Sequence, residues 1–557
     1  MIDHSLLNEL RNLILLKIDI TIISPSDCQH IALAISRKLN KKISDTTIKR
    51  LFGFAAVKYN FSKFTINTLL EFVEHPSLLN KSDEGIKNSN DKKDAEQWIK
   101  ITANAKKISQ KTVKHIVNHC TIPYRYTINR QFATDEFQYF YDSNYSFTSF
   151  IAQPGYGKSI LLSQIVSNLF LKQKDKYNND ILLFINAPDL FRNEHDHLNF
   201  DTELKRVLDV NDPQPIINLF HKFHEKTGHK VIIIIDAFYD LFHLNKNKSV
   251  AFEAIINWLC EIEDGNAIKL VVSMRSYLWA RFHTLIRNSH YLTKTWYPGN
   301  NYVQERISNV PPLTELEVEN IISNMNPKLL QHINSYVKEK LSNPFYFKYY
   351  YHLKDEYDSN VYHTNLIFFE IYLRFIFDQI YKSHLSPEKL VVCKKIIQFS
   401  DYGLKSSTVN KALFFNDFFL FKQAYMDLLA EGIIIEHKKI LNDVLVETVG
   451  FVHHHFFDYF LYKELAEREP NFTVETLDEI IKNYSPTRSK KLIKWMIFSA
   501  IRNSKYAKLQ IIAQYQGSIK NELTLFTTEN IKHQLKLKPN DAIEANKYFT
   551  HQKLPES

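Results

Sequence analysis

The chain of 557 residues is several times longer than a typical domain of about 100 to 200 residues, so we expect three or four domains and exclude a single small binding module. Hydrophobic residues make up 45% and charged residues 24%, which excludes a largely disordered or fibrous chain. The 70 basic and 61 acidic side chains leave a net charge of +9, too dilute for a polycation that coats nucleic acid. The 4 cysteines form no CxxC pair, and without a signal peptide or a long apolar run the pattern favours a soluble, cytoplasmic protein with no membrane partner.

The first 80 residues are predicted to form a compact helical unit. Within 27–73, apolar side chains recur on one face of a first helix, a polar turn follows, and Ser44 could cap a second helix. This pattern, with the later run FTINTLLEFV, resembles the helix-turn-helix domain of the lambda-repressor type. The resemblance implies that the second helix faces the major groove or the phosphates of double-stranded DNA, while a protein-docking role stays open. The side chains expected to contact DNA are Ser44, Thr46, Thr47, Lys49 and Arg50.

A polar and charged stretch at 81–97 is predicted to be a linker. After a helical run, short β-branched runs alternate with longer helical ones. This alternation is typical of an α/β domain that contains a parallel sheet. The β-branched runs end at Ala152, Ala187, Asp236 and Ser273.

The segment AQPGYGKS at 152–159 fits the pattern of a phosphate-binding loop between a strand and a helix. Gly155 and Gly157 would let backbone N–H groups point at a phosphate, Lys158 would reach the β- and γ-phosphates, and Ser159 would bind Mg²⁺. The alternative is an ordinary glycine turn. We expect ATP or ADP with Mg²⁺ as cofactors. The side chains and backbone groups expected to hold the nucleotide are Ala152, Gln153, Pro154, Gly155, Tyr156, Gly157, Lys158 and Ser159.

Acidic and basic residues at the ends of later strands complete the predicted catalytic site. Asp236 ends the most apolar run and is the expected second ligand of the metal. Asp240, four residues on, could act as the general base that polarises the attacking water, with an exposed loop carboxylate as the alternative. Arg275 follows the next strand, where its charge could distinguish ATP from ADP; a surface arginine is the alternative.

In their order along 130–466, these motifs resemble the signal-transduction NTPases with numerous domains (STAND), and within them the bacterial NACHT proteins. The block DAFYDL is similar to the family's metal and base block, with Tyr239 in place of an aspartate, which argues against fast hydrolysis. Further matches are VVSMRS, PLTELEVENII, SNPFYFKYY and FVHHHFFDYFLYKELA. The resemblance implies that Pro344 packs near the adenine and that His453 contacts the β-phosphate of ADP. Surface polarity, packing or a metal site are the alternatives for this histidine triplet.

The resemblance also implies a nucleotide-gated switch that is closed with ADP, opens with ATP and then self-associates. Slow hydrolysis would reset this switch. The trigger is open and could be a phage component, since the resemblance implies a sensor in bacterial anti-phage defence. Two other functions stay open, namely a transcription regulator whose NTPase part controls DNA binding, and an ATPase motor.

The expected fold class is multidomain α/β plus α, with a parallel P-loop NTPase sheet and largely helical flanking parts. A predicted hairpin within 432–453 follows helices, which suggests a winged helix. The predicted segments are a helix-turn-helix-like domain 1–80, a linker 81–97, a helical connector 98–129, a NACHT-type NTPase domain 130–311, a helical domain 312–385, a winged-helix domain 386–466 and a C-terminal helical tail 467–557.

Overall fold

The structure is a computed structural model, and its contacts divide the chain into two compact units, Met1–Lys100 and Ile101–Ser557. The predicted general base Asp240 and its neighbour Tyr239 lie outside the described residues. The structure describes residues 4–18, 20, 23–39, 41, 43–55, 61, 63–73, 76–172, 177, 179–192, 198–238, 248–262, 265–304, 307–331, 333–353, 366–441, 444–468, 473–515, 517 and 519–537.

The first unit is helical around a small apolar core. Ile31 and Ile48 are fully buried there, so the apolar faces expected from the sequence pack against each other. Ser44 caps its helix as predicted, since its side chain accepts a hydrogen bond from the backbone N–H of Thr47 at 3.2 Å. The helices of this unit are His4–Ile18, Asp27–Leu39, Asp45–Leu51 and Lys63–Val73.

The segment 81–97, predicted to be a linker, lies within a helix, Pro76–His119. The polar composition of this segment therefore belongs to a long helix and not to an irregular linker. The boundary between the two units falls inside the same helix, between Lys100 and Ile101, close to the end of the predicted linker.

A five-stranded parallel sheet forms the centre of the second unit, in the order β2-β3-β4-β1-β5. The central strands are buried along their whole length, as their continuous β-branched sequences predict. Two strands end where the sequence predicts, but β2 stops one residue before Ala187, which begins a helix, and β4 continues two residues past Ser273. The strands are β1 Phe147–Ala152, β2 Ile181–Asn186, β3 Val231–Asp236, β4 Ile268–Arg275 and β5 Trp296–Tyr297.

Helices pack on this sheet through an apolar core that includes Phe137, Leu162 and Ile232. The result is the predicted α/β architecture, in which the carboxyl ends of the parallel strands meet at one edge. These helices are Gln131–Asp142, Lys158–Ile165 with its π-helical continuation Val166–Lys172, Ala187–Leu190, Phe200–Leu208, Ile216–Thr227, Lys248–Cys260, Ser276–Arg287 and His290–Thr295; a short 3-10 turn, Tyr124–Tyr126, precedes them.

The rest of the unit is largely helical, as predicted, and shares one core that extends from Leu313 to Ile531. A capping box at Thr314 and Glu317 begins its first helix. The α-helices are Glu315–Met325, Ser335–Leu341, Phe345–Leu353, Leu366–Ile376, Ser386–Phe399, Phe415–Ala430, His454–Arg468, Val474–Asn483, Pro486–Arg502, Gln510–Gln514 and Lys520–Leu537; shorter turns are Pro327–Gln331, Phe377–Tyr381, Lys411–Phe414 and Tyr506–Leu509.

A second, antiparallel sheet confirms the predicted hairpin, with β7 Ile434–Leu441 paired to β8 Val444–Phe451 and β6 Thr408–Asn410 on the other edge of β8. Helices come before and after these strands, and 386–466 is called the winged-helix part below, after the prediction. Across the residues that the structure describes, we find no helix with the length and apolar composition needed to span a membrane.

Candidate nucleotide-binding site

The loop between β1 and the helix Lys158–Ile165 has the backbone geometry that phosphate binding needs. Gly155 and Gly157 have φ angles of 82° and 75°, in the left-handed region that glycine enters without a steric penalty. Gly157 directly precedes the helix, whose first turn presents backbone N–H groups towards the loop. The segment AQPGYGKS therefore forms a loop between a strand and a helix, and phosphate binding by this loop stays a prediction.

Lys158 points back into the loop. Its Nζ donates hydrogen bonds to the backbone oxygens of Ala152 at 2.9 Å and Gln153 at 3.1 Å. Burial, and to a smaller extent the nearby Arg275, lower the pKa of Lys158 to about 7, although Asp236 acts in the opposite direction. A phosphate here would supply the negative charge that a buried ammonium group favours.

The sheet brings the other predicted side chains to the same edge. Because β4 lies between β1 and β3, Arg275 is level with Ala152 on one side, and Asp236 ends the strand on the other side. Asp236 is buried, with only 2% of its surface exposed. The residue after it, Ala237, has a φ of 58°, a conformation that is strained for alanine and turns the chain away at the site.

A cavity of about 740 Å³ opens over this edge, a size in the usual range for small-molecule sites. The phosphate loop and strand ends form its floor, while Pro344 and Glu431 approach from the later helical parts. Among the described residues that line it are Tyr126, Arg130, Gly155, Lys158, Ser159, Asn186, Asp236, Arg275, Pro344, Phe345 and Glu431.

Two later segments close tightly over the loop. A Cβ atom at Gly155 would lie 2.9 Å from Cδ2 and 3.3 Å from Cα of Phe345, which follows Pro344. A Cβ atom at Gly432 would lie 2.9 Å from Cδ of Pro154. The guanidinium of Arg275 also donates a hydrogen bond to the backbone oxygen of Ala430. The helical and winged-helix parts therefore both contact the predicted phosphate site directly.

A buried ion pair supports the winged-helix side of the cavity. Lys389, 1% exposed, donates to a carboxylate oxygen of Glu431 at 3.0 Å and to the hydroxyl of Ser383 at 3.0 Å. Burial raises the pKa of Glu431, and Lys389 opposes this shift. Neither residue was predicted, because their pairing depends on how two distant helices pack.

His453 does not line the cavity but packs against Phe345, the residue that covers Gly155. Its ring is 6.1 Å from that of Phe345 and 5.4 Å from that of Phe456, measured between centroids, and it is absent from the described residues that line the cavity. Burial lowers its pKa to about 4, so it is neutral at pH 7. Phe345 thus lies between His453 and Gly155. The contact of His453 with the β-phosphate of ADP stays a prediction.

The other two histidines of the triplet lie close to Asp458. Ligand atoms of His454, His455 and Asp458 are all within 4.8 Å of one another, as in a metal site. However, the Asp458 carboxylate already lies 3.6 Å from Arg488 and 3.7 Å from Lys491. Since these two cations compete with a metal for the carboxylate, the cluster does not favour a metal site.

Because the histidines of the triplet have lowered pKa values, we expect the free energy of unfolding to fall as the pH falls. The pKa values of His454 and His455 are lowered from 6.5 to about 4 and about 2, chiefly by burial and further by the nearby cations Lys491 and Lys340. As the pH falls, these histidines are protonated in the unfolded chain before they are protonated in the folded one. Their contribution to the free energy of unfolding is therefore unchanged above pH 6.5 and declines below it. The pKa of Asp458 is raised to about 6, so this one carboxyl group makes the folded state more stable as the pH falls.

We expect His455→Gln to reduce the loss of stability between pH 7 and pH 5, measured by urea unfolding at each pH. The control is His290→Gln, because His290 is exposed in another part of the unit. Equal pH slopes for wild type and His455→Gln would contradict this expectation.

Asn186 and Arg130 are among the cavity residues that the sequence did not predict. Asn186 ends β2 and is paired in register with Asp236, so a polar residue at a strand end was the available signal. Arg130 is 7% exposed, lies 3.1 Å from Glu317, and donates to the backbone oxygens of Pro311 and Pro312. It thereby joins the sheet domain to the first helix of the later part.

The residues predicted to contact DNA lie in the first unit, on and before the helix Asp45–Leu51. Thr46 and Arg50 are exposed, but the ammonium of Lys49 is 3.1 Å from the carboxylate of Asp45. Ser44 is occupied as the helix cap, with a further contact of 2.8 Å to the hydroxyl of Thr47. The geometry of these side chains fits either DNA or a protein partner.

Comparison with known proteins gives no family. No family model matches the chain, and neither does any curated protein. Among solved structures it is similar to the ORC2 protein of Aeropyrum pernix in its ADPNP-ADP complexes, with 10% identity and a TM-score of 0.30 over 64% of this chain and 94% of that one. The ADP form of that protein gives 11% identity and a TM-score of 0.32, covering 60% of this chain and 92% of that one. The Walker-type ATPase paby2304 of Pyrococcus abyssi gives 12% identity and a TM-score of 0.34, covering 60% and 97%.

Proposed function

We propose that this chain is a nucleotide-gated molecular switch of the STAND/NACHT type that binds ATP and ADP with Mg²⁺ and hydrolyses ATP slowly. The observation that carries the proposal is the double closure over the phosphate loop, by Phe345 at Gly155 and by Gly432 at Pro154. A loop that served only to hold a nucleotide would not need contacts from two other parts of the chain.

The residues at the strand ends suit a nucleotide and a magnesium ion. Ser159 and Asp236 offer a hydroxyl and a carboxylate oxygen on the cavity wall, the donors that Mg²⁺ prefers. When bound, Mg²⁺ would neutralise charge on the β- and γ-phosphates. Lys158 would bind the same phosphates. Asp240 keeps its proposed role as the base.

Arg275 offers a physical basis for the switch. Its guanidinium now donates to the backbone oxygen of Ala430 in the winged-helix part. A γ-phosphate at the end of β4 would attract this guanidinium more strongly than a neutral carbonyl does, because both partners would then carry a full and opposite charge. ATP would therefore weaken the closure that ADP leaves intact, which is the differential interaction that a two-state switch requires.

The proposal is tested by nucleotide binding and by the mass of the full chain. We expect Lys158→Ala to weaken the binding of fluorescently labelled ADP by roughly 100-fold or more, since it removes a charged partner of the phosphates. The control is Lys294→Ala, an exposed lysine away from the cavity. Light scattering should show a single chain with ADP and a larger assembly with a non-hydrolysable ATP analogue. Unchanged ADP binding by Lys158→Ala, or equal masses with both nucleotides, would overturn the proposal.

The biological setting that we propose is bacterial defence against phage, with a phage component as trigger and self-association as output. Plaque formation on cells that carry the wild-type or the Lys158→Ala gene tests this setting. The alternative, a transcription regulator that acts through its N-terminal helices, is less supported, because two basic side chains there, Lys41 and Lys49, are paired with the acidic Glu71 and Asp45.

A further inference from the structure

A second cavity, of about 390 Å³, lies in the later helical part of the second unit. Its size is near the lower end of the range for small-molecule sites. One wall is basic and the other is aromatic. The residues of the two walls come mainly from the helices Leu366–Ile376, Pro486–Arg502 and Lys520–Leu537. None of them lines the phosphate-loop cavity.

The basic wall is formed by Lys490, Lys491 and Lys494, all half-buried on the helix Pro486–Arg502. Lys490 and Lys494 are four residues apart, so they lie on the same face of the helix. Each of their ammonium groups is 2.7 Å from the carboxylate of Glu522. One carboxylate thus serves two lysines, which leaves this wall electropositive.

Positive charge remains in excess when the neighbouring groups are included. Lys491 and Arg488 share the single carboxylate of Asp458, at 3.7 Å and 3.6 Å. His455, which also lines the cavity, has a pKa lowered to about 2 by burial and is neutral. Among the residues that line the cavity, three lysines therefore face the single carboxylate of Glu522 in a partly closed space, where their field is less screened than at an open surface.

The aromatic wall offers flat, rigid surfaces. Tyr336 lines the cavity and is 38% exposed, and Phe369 is half-buried with its ring packed on Trp495 at 4.8 Å between centroids. The ring of Phe526 closes the wall beside Lys494, whose Nζ is 5.4 Å from its centroid. Such a wall can stack on a planar ring, while the lysines opposite can bind an anion.

We propose that this cavity binds a small organic phosphate that carries a planar ring, of about the size of a nucleoside monophosphate. The phosphate would replace Glu522 as the partner of Lys490 and Lys494, and the ring would lie against Tyr336 or Phe369. A metal ion is the less suitable occupant, because the one carboxylate beside His455 is already paired with two cations. This proposal does not depend on nucleotide binding at the phosphate loop.

The test uses the full chain with Lys158→Ala, so that the phosphate-loop cavity contributes little to the signal. Equilibrium dialysis measures the binding of AMP, GMP, CMP and UMP, each alone, beside adenosine without a phosphate and inorganic phosphate without a ring. We expect saturable binding of at least one monophosphate to one site. Adenosine and inorganic phosphate should each bind at least about tenfold more weakly than that monophosphate, because each lacks one of the two interactions.

Further substitutions in that background assign the site. Lys490→Gln with Lys494→Gln should weaken the binding by about tenfold or more, whereas Lys482→Gln with Lys505→Gln, at exposed positions outside the cavity, should leave it unchanged. Glu522→Gln should strengthen it several-fold by releasing both lysines from their carboxylate, an effect that damage to the fold would not produce. Absence of binding by all four monophosphates would overturn the proposal. So would equal affinities of the two lysine pairs, or inorganic phosphate binding as tightly as the best monophosphate.

Discussion

Lys389→Met is expected to lower the free energy of unfolding by about 3–5 kcal/mol, the range for removing one partner of a buried ion pair. Lys389 is 1% exposed and donates to Glu431, to Ser383 and to the backbone oxygen of Gln379. Without the ammonium group, a carboxylate whose pKa is already raised by burial loses its cation. Urea unfolding of the full chain at pH 7 measures the change.

Two further variants isolate the pair. Glu431→Gln in the Lys389→Met background should recover part of the loss, because it removes the uncompensated charge. Lys405→Met breaks an exposed pair, in which Lys405 is 3.3 Å from Asp401, and should cost less than about 1 kcal/mol. If Lys389→Met costs no more than Lys405→Met, the buried pair does not stabilise the winged-helix side of the cavity.

The second large effect is expected at the phosphate loop, where Gly155→Ala should lower the free energy of unfolding by about 3 kcal/mol in the absence of nucleotide. A side chain at this positive φ is strained, and its Cβ would also press on the ring and the backbone of Phe345. Backbone cannot move aside as the end of a flexible side chain can, so the contact between the loop and the helical part would open.

Gly157→Ala is the matched control for this prediction. Gly157 has a similar φ of 75°, but a Cβ there meets nothing within 4 Å. Its cost should therefore be the backbone strain alone, about 1–2 kcal/mol. Urea unfolding of the two variants, without nucleotide, gives the difference. Equal losses would show that Phe345 does not press on the loop in solution.

The sequence predicts features whose signal is local. The phosphate loop and the strand ends at Ala152 and Asp236 follow from a motif and from β-branched runs a few residues long, and the structure has them there. The cap by Ser44 and the hairpin of β7 and β8 follow from equally short patterns. In each case the residues that make the structure are neighbours along the chain.

The contacts that the later segments make with the phosphate loop have no local signal in the sequence. Phe345 reaches Gly155, and Glu431 reaches Lys389, only because helices from separate segments pack together. The same is true of Glu522, which turns a basic stretch that resembles a solvated helix face into one wall of a cavity. The position of His453 behind Phe345 depends on the same packing, so the family pattern alone could not give its distance from the loop.

The closure over the phosphate loop also sets an order of events during synthesis. The five strands and the loop belong to one continuous stretch that leaves the ribosome before Phe345 and Gly432 do. N-terminal domains generally fold first as the chain is made. The nascent sheet domain would therefore pass through a period in which Phe345 and Gly432 do not yet cover its phosphate loop.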